Sequence, residues 1–174
     1  MNQVSREETD KIIRQHMWSS MGVSLIPIPL IDFTAITVIQ FNMIRKLSRQ
    51  YGVPLIKKNT KSFRSLIVFL ASLTDDFALA VLRKTMLPAV SASLATSLTK
   101  AVPVAGQSIG VATAPVINGG FTYAIGKMMV RQFESGESFF TLNPEKEKEY
   151  YMEMFTEGTK IAIEMQKEKN QKTS

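Results

Sequence analysis

The residue types that most often carry out chemistry are sparse in this chain of 174 residues. It has no cysteine, which excludes disulfides, thiolate metal sites and cysteine nucleophiles. Its single histidine, His16, leaves no second imidazole for a two-histidine metal site. No P-loop, Rossmann or nucleophile-elbow spacing occurs either. The sequence therefore predicts a non-enzymatic protein without a catalytic residue, cofactor or metal.

Carboxylates could still supply acid–base or metal chemistry. Asp75 and Asp76 are adjacent, and adjacent residues on a helix diverge by about 100°, so the two cannot readily share a metal ion or a proton. Asp32 lies inside an otherwise uncharged stretch, where an ionised carboxylate is costly unless it is paired. We interpret Asp32 as a cap of the helix that follows Pro29, because an acid near a helix start complements the dipole. Binding of a cation or of a partner arginine is the alternative.

The first long apolar run covers residues 17–44, with Asp32 as its single charge. It exceeds the roughly 20 apolar residues that cross a bilayer, but Pro27 and Pro29 interrupt it in the middle. The run is therefore predicted to bend there into two helical arms, with Arg14 and Arg45 together at the outer ends. Such a hairpin can either dip into one leaflet or pack as two buried helices of a soluble bundle.

A second apolar run, residues 101–126, contains no charged residue. Gly106, Gly110 and Ala114 recur every four residues and predict a smooth face for close helix packing. An internal echo links the two runs, because residues 29–32 (PLID) correspond to residues 115–118 (PVIN) at an offset of 86. Pro115 and Asn118 would then bend and cap a second hairpin, related to the first by a pseudo-twofold axis. Chance similarity between two apolar helices is the alternative.

A run of cations without any acid follows the first apolar run: Arg45, Lys46, Arg49, Lys57, Lys58, Lys61 and Arg64. Cations next to an apolar run favour contact with an anionic lipid surface. The sequence pI of about 9.6 is also typical of proteins that bind nucleic acid, but no RNP, helix-turn-helix or zinc-finger spacing accompanies the cations. We therefore expect a membrane partner and no nucleic acid.

The C-terminal region is predicted to be an amphipathic helix that starts at Asn143, Pro144 and Glu145, in the order of N-cap, first-turn proline and first-turn acid. It must dock on something, either its own domain or a partner, which could be an identical subunit. Beyond it we expect a polar, frayed tail at residues 169–174, after a single domain at residues 1–168. The apolar face of this helix, and with it the candidate docking surface, consists of Tyr151, Met154, Phe155, Ile161 and Met165.

Together these patterns predict an all-α protein of about six helices. Two proline-bent apolar hairpins would flank a basic connector with one or two core helices, and the amphipathic helix would close the chain. The hypothesis is a protein seated in or on the cytoplasmic membrane. A soluble helical adaptor or homo-oligomeric scaffold, with the apolar runs as its core, is the alternative.

Several short strings along the chain occur together in one known family. They are MWSSMGV at 17–23, IPIPLID at 26–32, Gln40, MIRKL at 43–47, YGVP at 51–54, KAVP at 100–103, TYAIG at 122–126, FESG at 133–136 and PEK at 144–146. In this respect the chain resembles a bacterial family of unknown function that includes the YcjF-type inner-membrane proteins and the domain appended to some Era-like GTPases. The resemblance covers about residues 12–160, and IPIPLID is its most specific part.

The resemblance implies a helical, membrane-associated domain that works beside a GTPase, without established catalytic residues. This chain lacks the Walker A sequence of the GTPase-fused members. Phe121 stands where the first glycine of that motif would be, and Met128 follows Lys127 where serine or threonine is needed. The resemblance therefore implies a protein partner, with a GTPase as the candidate, and no GTP site of its own.

Overall fold

The computed structural model describes residues 5–25, 29–54, 114–138 and 141–173. Within these ranges the chain forms α1 (Arg6–Val23), α2 (Pro29–Gln50), α3 (Ala114–Glu134) and α4 (Pro144–Thr173), and no strand. The prediction of an all-helical chain is thus confirmed for this part of it. The expected core helices of the central region and the first arm of the second hairpin lie outside the described residues, so the number of six helices stays a prediction.

The helices begin where local sequence signals place them. Ser5 is the N-cap of α1, and its hydroxyl accepts a hydrogen bond of 3.4 Å from the backbone N–H of Glu8. Helices α2 and α4 both begin at a proline, Pro29 and Pro144. Proline suits a first helical position because the N–H it lacks would have no partner inside the helix.

Two helices end at a glycine in the left-handed region, Gly52 (φ 67°) after α2 and Gly136 (φ 74°) after α3. The N–H of Val53 donates to the carbonyl of Ser48 at 3.0 Å, and the N–H of Glu137 donates to that of Gln132 at 3.2 Å. These bonds from the residue after each glycine satisfy carbonyl groups that the helix leaves unpaired. Gly52 and Gly136 thus cap the C-terminal ends of α2 and α3.

Helices α1 and α2 form an antiparallel hairpin. The start of α1 meets the end of α2, because Gln50 Nε2 donates to the carbonyl of Ser5 at 3.4 Å and the hydroxyl groups of Thr9 and Tyr51 are 3.3 Å apart. The first predicted hairpin is therefore present, with its outer ends together. The chain turns between Val23 and Pro29, so residues 17–44 do not form one straight helix.

Helix α3 is the centre of the fold. It packs against α1, α2 and α4, and most of its side chains are buried. It runs antiparallel to α1 and α4 and parallel to α2. The core around it is rich in methionine, and Met17, Met43, Met128, Met129 and Met165 are at most 1% exposed. Methionine fills irregular gaps between helices because its side chain is flexible.

Glycines allow α3 and α4 to cross closely. A Cβ atom placed on Gly158 of α4 would lie 2.6 Å from Tyr123 Cβ and 3.0 Å from the carbonyl oxygen of Gly120. The prediction of helix packing at Ala114 is wrong, since Ala114 is exposed as the first residue of α3. Gly106 and Gly110 lie outside the described residues.

The predicted internal repeat is not confirmed by the positions of the helices. Pro29 is the first residue of α2 and Pro115 is the second residue of α3. The capping glycines, Gly52 and Gly136, are 84 residues apart, so the ends of the two helices do not keep the offset of 86. The pseudo-twofold relation of two hairpins stays a prediction.

Helix α4 is longer than the sequence indicated. We expected a frayed tail from residue 169, but the helix continues to Thr173. Three of the five residues concerned, Lys169, Gln171 and Lys172, are of types with high intrinsic helix propensity. At about 1.5 Å per residue, its 30 residues span about 45 Å, against about 31 Å for the 21 residues of α3.

Candidate membrane-facing site

The outward face of α2 changes from apolar to cationic along the helix. Val38, Asn42, Arg45 and Arg49 follow each other at steps of four, three and four residues, which places them on one side of the helix. All four are exposed, and Val38 is 52% exposed although it is apolar. Val38 lies in the half of the helix near the proline bend, and the arginines lie toward its other end.

The outward face of α1 follows the same order. Lys11 and Arg14 are exposed in its first half, whereas Trp18 (38% exposed) and Leu25 (63% exposed) lie toward the bend. Both helices of the hairpin thus expose apolar side chains near the bend. We call Trp18, Leu25 and Val38 the apolar patch.

Five of the six exposed cations of the two helices lie at a similar level of the hairpin, and the sixth, Arg6, lies nearer its outer end. Thr9 of α1 contacts Tyr51, the residue after α2, so counting along the antiparallel pair places Arg14 level with Lys46. We call these five exposed cations the cationic belt: Lys11, Arg14, Arg45, Lys46 and Arg49.

The cations of α3 have carboxylate partners within the fold, and this distinguishes them from the cations of the belt. Lys127 Nζ lies 2.8 Å from Asp10 Oδ1, and Arg131 lies 3.5 Å from Glu147 and stacks on the Tyr150 ring at 4.6 Å. In the described part of the chain, no carboxylate lies within ion-pair distance of a belt cation. The belt charges are therefore available to bind an external anion, and unlike the exposed lysines of α4 they lie on the same hairpin as the apolar patch.

The inward faces of the hairpin belong to the core. Ile13 and Met17 of α1 and Met43, Ile44 and Leu47 of α2 are at most 1% exposed. A Cβ atom on Gly126 of α3 would lie 2.9 Å from Ile13, which shows how closely α3 covers this side. As far as the described residues show, the hairpin leaves its outward faces for an external surface.

A buried polar seam joins α1 to α3 near the bend. Thr122 Oγ1 and Ser20 Oγ are 3.0 Å apart and both side chains are fully buried, and Ser20 also donates to the backbone carbonyl of Met17 at 2.9 Å. Asn118 does not cap its own helix as predicted, because it is the fifth residue of α3; its side-chain amide N–H instead donates to Ser24 Oγ at 2.6 Å. The seam fixes the end of α1 on α3.

The other predicted residues of the bend and the connector fall mainly outside the described part. Asp32 is the fourth residue of α2, within its first turn, so it does not occupy the N-cap position; its side chain is not described. Pro29 and Pro115 lie at helix starts. Outside the described residues are Pro27, Lys57, Lys58, Lys61 and Arg64.

The predicted docking face of α4 lies against α3. Tyr151, Met154, Phe155 and Met165 are buried, Ile161 is half-buried, and the rings of Phe155 and Phe121 are 4.7 Å apart. The helix thus docks on its own domain, one of the two possibilities that the sequence left open. These side chains do not form a free surface.

His16 lies under the belt, on the side of α1 that faces α2. It is 7% exposed, and its Nδ1 is 2.7 Å from the carbonyl oxygen of Ile12, so the neutral ring donates from Nδ1. Burial, the main cause, and the nearby charge of Lys46 lower the pKa of His16, and the bond to Ile12 opposes them. We therefore expect a neutral imidazole at neutral pH.

The lowered pKa of His16 predicts that the protein loses stability as the pH falls. Between the ordinary histidine pKa of about 6.5 and the lower folded-state value, the unfolded chain binds a proton that the folded chain does not. The free energy of unfolding should therefore decrease as the pH falls through 6.5, and His16→Gln should reduce this decrease. Urea titrations at pH 7.5 and 5.5 measure the free energy of unfolding of the unaltered protein and of the variant. An equal decrease in the two proteins would contradict the prediction.

Two kinds of structure are absent from the described residues. None of the four helices is long and apolar enough to span a bilayer. No group of three His, Asp or Glu side chains in these ranges is arranged to hold a metal ion.

Comparison with known proteins places the chain in a family. A family model described as a domain of unknown function, DUF697, matches residues 1–160. The chain belongs to this family. The DUF697 chain is also 31% identical to magnetosome membrane protein 22 of Magnetospirillum gryphiswaldense over 160 residues, which are 92% of this chain and 75% of that protein. No solved structure matches it.

The DUF697 match agrees with the resemblance to a family of unknown function that the sequence strings indicated. The relative is named as a membrane protein, which is compatible with the expected membrane association. The more specific link to YcjF-type proteins and Era-like GTPases stays a prediction.

Proposed function

We propose that this protein is a non-enzymatic, helical protein that binds the anionic surface of the bacterial cytoplasmic membrane through the outward face of its α1–α2 hairpin. The apolar patch would enter the boundary between headgroups and acyl chains, while the cationic belt contacts lipid phosphates. Amphipathic helices that lie in the membrane interface combine these two kinds of contact. Binding would be peripheral, because the inward faces of the hairpin pack on α3.

The observation that carries the proposal is the coincidence of unneutralised cations and exposed apolar side chains on one hairpin. Elsewhere in the fold, the cations Lys127 and Arg131 are held by carboxylates from α1 and α4. The belt has no such partners among the described residues, and exposed Trp, Leu and Val accompany it. An anionic membrane offers both phosphates and an apolar boundary, whereas a nucleic acid leaves the apolar patch unexplained.

We further propose that the bound protein recruits a protein partner to the membrane. A GTPase is the first candidate, because the resemblance includes members fused to Era-like GTPases; an identical subunit is the second. The partner would use a surface other than the apolar face of α4, which α3 covers. Copurification of the full chain from membranes, with and without guanine nucleotide, tests for the first candidate.

The only tryptophan of the chain lies in the apolar patch, so its fluorescence reports on the proposed contact. We expect the emission of Trp18 to shift to shorter wavelength when the protein is mixed with phosphatidylcholine vesicles that contain phosphatidylglycerol. The shift follows because the indole ring would leave water for a less polar boundary. Phosphatidylcholine vesicles without the anionic lipid should give little or no shift.

Two results would contradict this function. Without any shift or cosedimentation on anionic vesicles, the protein would be better explained as a helical scaffold whose apolar runs are core. Equal binding to both vesicle types would mean that the belt does not select anionic lipid. High salt should reduce binding, since salt screens exposed charges.

A further inference from the structure

Three helices can be aligned at one level of the bundle. A Cβ atom on Gly119 of α3 would lie 3.0 Å from Ala162 Cβ of α4 and 3.1 Å from the side chain of Met21 of α1. Four residues beyond Met21, toward the bend, lies Leu25. Helix α4 runs in the same direction as α1, and Gln166 follows Ala162 by four residues as well. Leu25 is therefore level with Gln166.

The C-terminal end of α4 projects past this level. From Lys167 to Thr173 seven helical residues remain, which extend about 10 Å beyond Leu25 at 1.5 Å per residue. The segment contains Lys167, Lys169 and Lys172 against one acid, Glu168. The side chains of Lys167 and Lys169 are exposed.

Among the described residues, the same end of the bundle carries few other charges, such as Asp32 of α2 and Glu164 of α4. No Lys, Arg, Asp or Glu occurs between Arg14 and Asp32, or from Ala114 to Gly126. The opposite end is crowded with charged residues of both signs. Its acidic residues include Glu7, Glu134 and Glu147. The bundle is thus polarised along its axis, with an apolar, lysine-tipped end and a mixed, acid-rich end.

We propose that the end of the bundle containing Leu25 is tilted toward the membrane and that the projecting end of α4 is a second binding element for anionic lipid headgroups. This inference rests on the proposed function and adds an orientation to it. The tilt brings the apolar patch and the lysines of α4 to the lipid together. It also limits the depth of entry, since ammonium groups at the leading end stay at the phosphates.

Helix α4 offers a matched pair of variants for the test, because it has two exposed lysines, two residues apart, at each end. Lys167→Gln/Lys169→Gln removes two charges at the proposed membrane end, and Lys146→Gln/Lys148→Gln removes two at the other. We expect the first variant to bind vesicles of phosphatidylcholine with phosphatidylglycerol roughly 10- to 30-fold more weakly, by cosedimentation. The second variant should bind like the unaltered protein.

The outcomes separate this inference from the proposed function. If both lysine pairs weaken binding equally, or if Lys167→Gln/Lys169→Gln has no effect, the orientation is wrong while membrane binding stands. If the unaltered protein does not bind anionic vesicles, the proposed function itself fails. Circular dichroism of both variants checks that their helices are intact.

Discussion

Replacing Arg45, Lys46 and Arg49 together by glutamine is expected to weaken binding to anionic vesicles by roughly 100-fold. Each cation near an anionic surface contributes about 1 kcal/mol, and about 1.4 kcal/mol corresponds to a factor of ten. The three side chains are exposed on α2 and have no carboxylate partner in the described part of the chain, so their full charge is available to lipid. Vesicle cosedimentation at low salt measures the loss.

A triple variant of α4 is the matched control. Lys146, Lys148 and Lys160 are exposed as well, so changing them to glutamine lowers the net charge by the same amount without touching the hairpin. We expect this control to bind almost normally. If it loses as much affinity as the α2 variant, net charge rather than the belt governs binding.

Gly158→Ala is expected to lower the free energy of unfolding by about 2–3 kcal/mol. The new methyl group would lie 2.6 Å from Tyr123 Cβ, closer than such atoms approach, and 3.0 Å from the backbone oxygen of Gly120, which is a tight contact. Neither is the flexible end of a side chain, so α3 and α4 must move apart, and overpacking of this kind costs about 1–3 kcal/mol. Urea unfolding followed by circular dichroism measures the change.

Gly22→Ala is the control for the intrinsic effect of alanine in a helix. Gly22 lies within α1, and a Cβ atom there would meet nothing within 4 Å. Alanine in an open helical position should stabilise the protein by about 0.5–1 kcal/mol, because it restricts the unfolded chain. A loss of stability at Gly22, or none at Gly158, would show that the helices pack differently.

Local signals predicted the hairpin and its boundaries from the sequence. The prolines at the starts of α2 and α4, the serine before α1 and the glycine after α2 act within one or two turns of chain, so their effect can be read without knowing the fold. Asn118 misled the sequence interpretation because its partner, Ser24, is 94 residues away. An asparagine side chain can either cap a helix or form a tertiary hydrogen bond, and the sequence alone does not distinguish the two roles.

The candidate site itself could be predicted only in part. Arg45, Lys46 and Arg49 were visible as cations without neighbouring acids, but the contributions of Lys11, Trp18 and Val38 depend on which side of each helix faces α3. An apolar run does not reveal this, since Met17 (0% exposed) and Trp18 (38% exposed) are adjacent. Heptad-like spacing of the exposed residues, from Val38 to Arg45 and from Trp18 to Leu25, was the available signal.

The central position of α3 has a consequence for synthesis on the ribosome. The hairpin is complete at residue 54, whereas the helix that covers its inward face ends at Glu134, about 80 residues later. At 5–20 residues per second, translation of that interval takes roughly 4 to 16 seconds. During this time Met17, Met43 and Leu47 lack their final cover, so the nascent chain needs a temporary neighbour for them, such as a chaperone, its own later segments or a nearby bilayer.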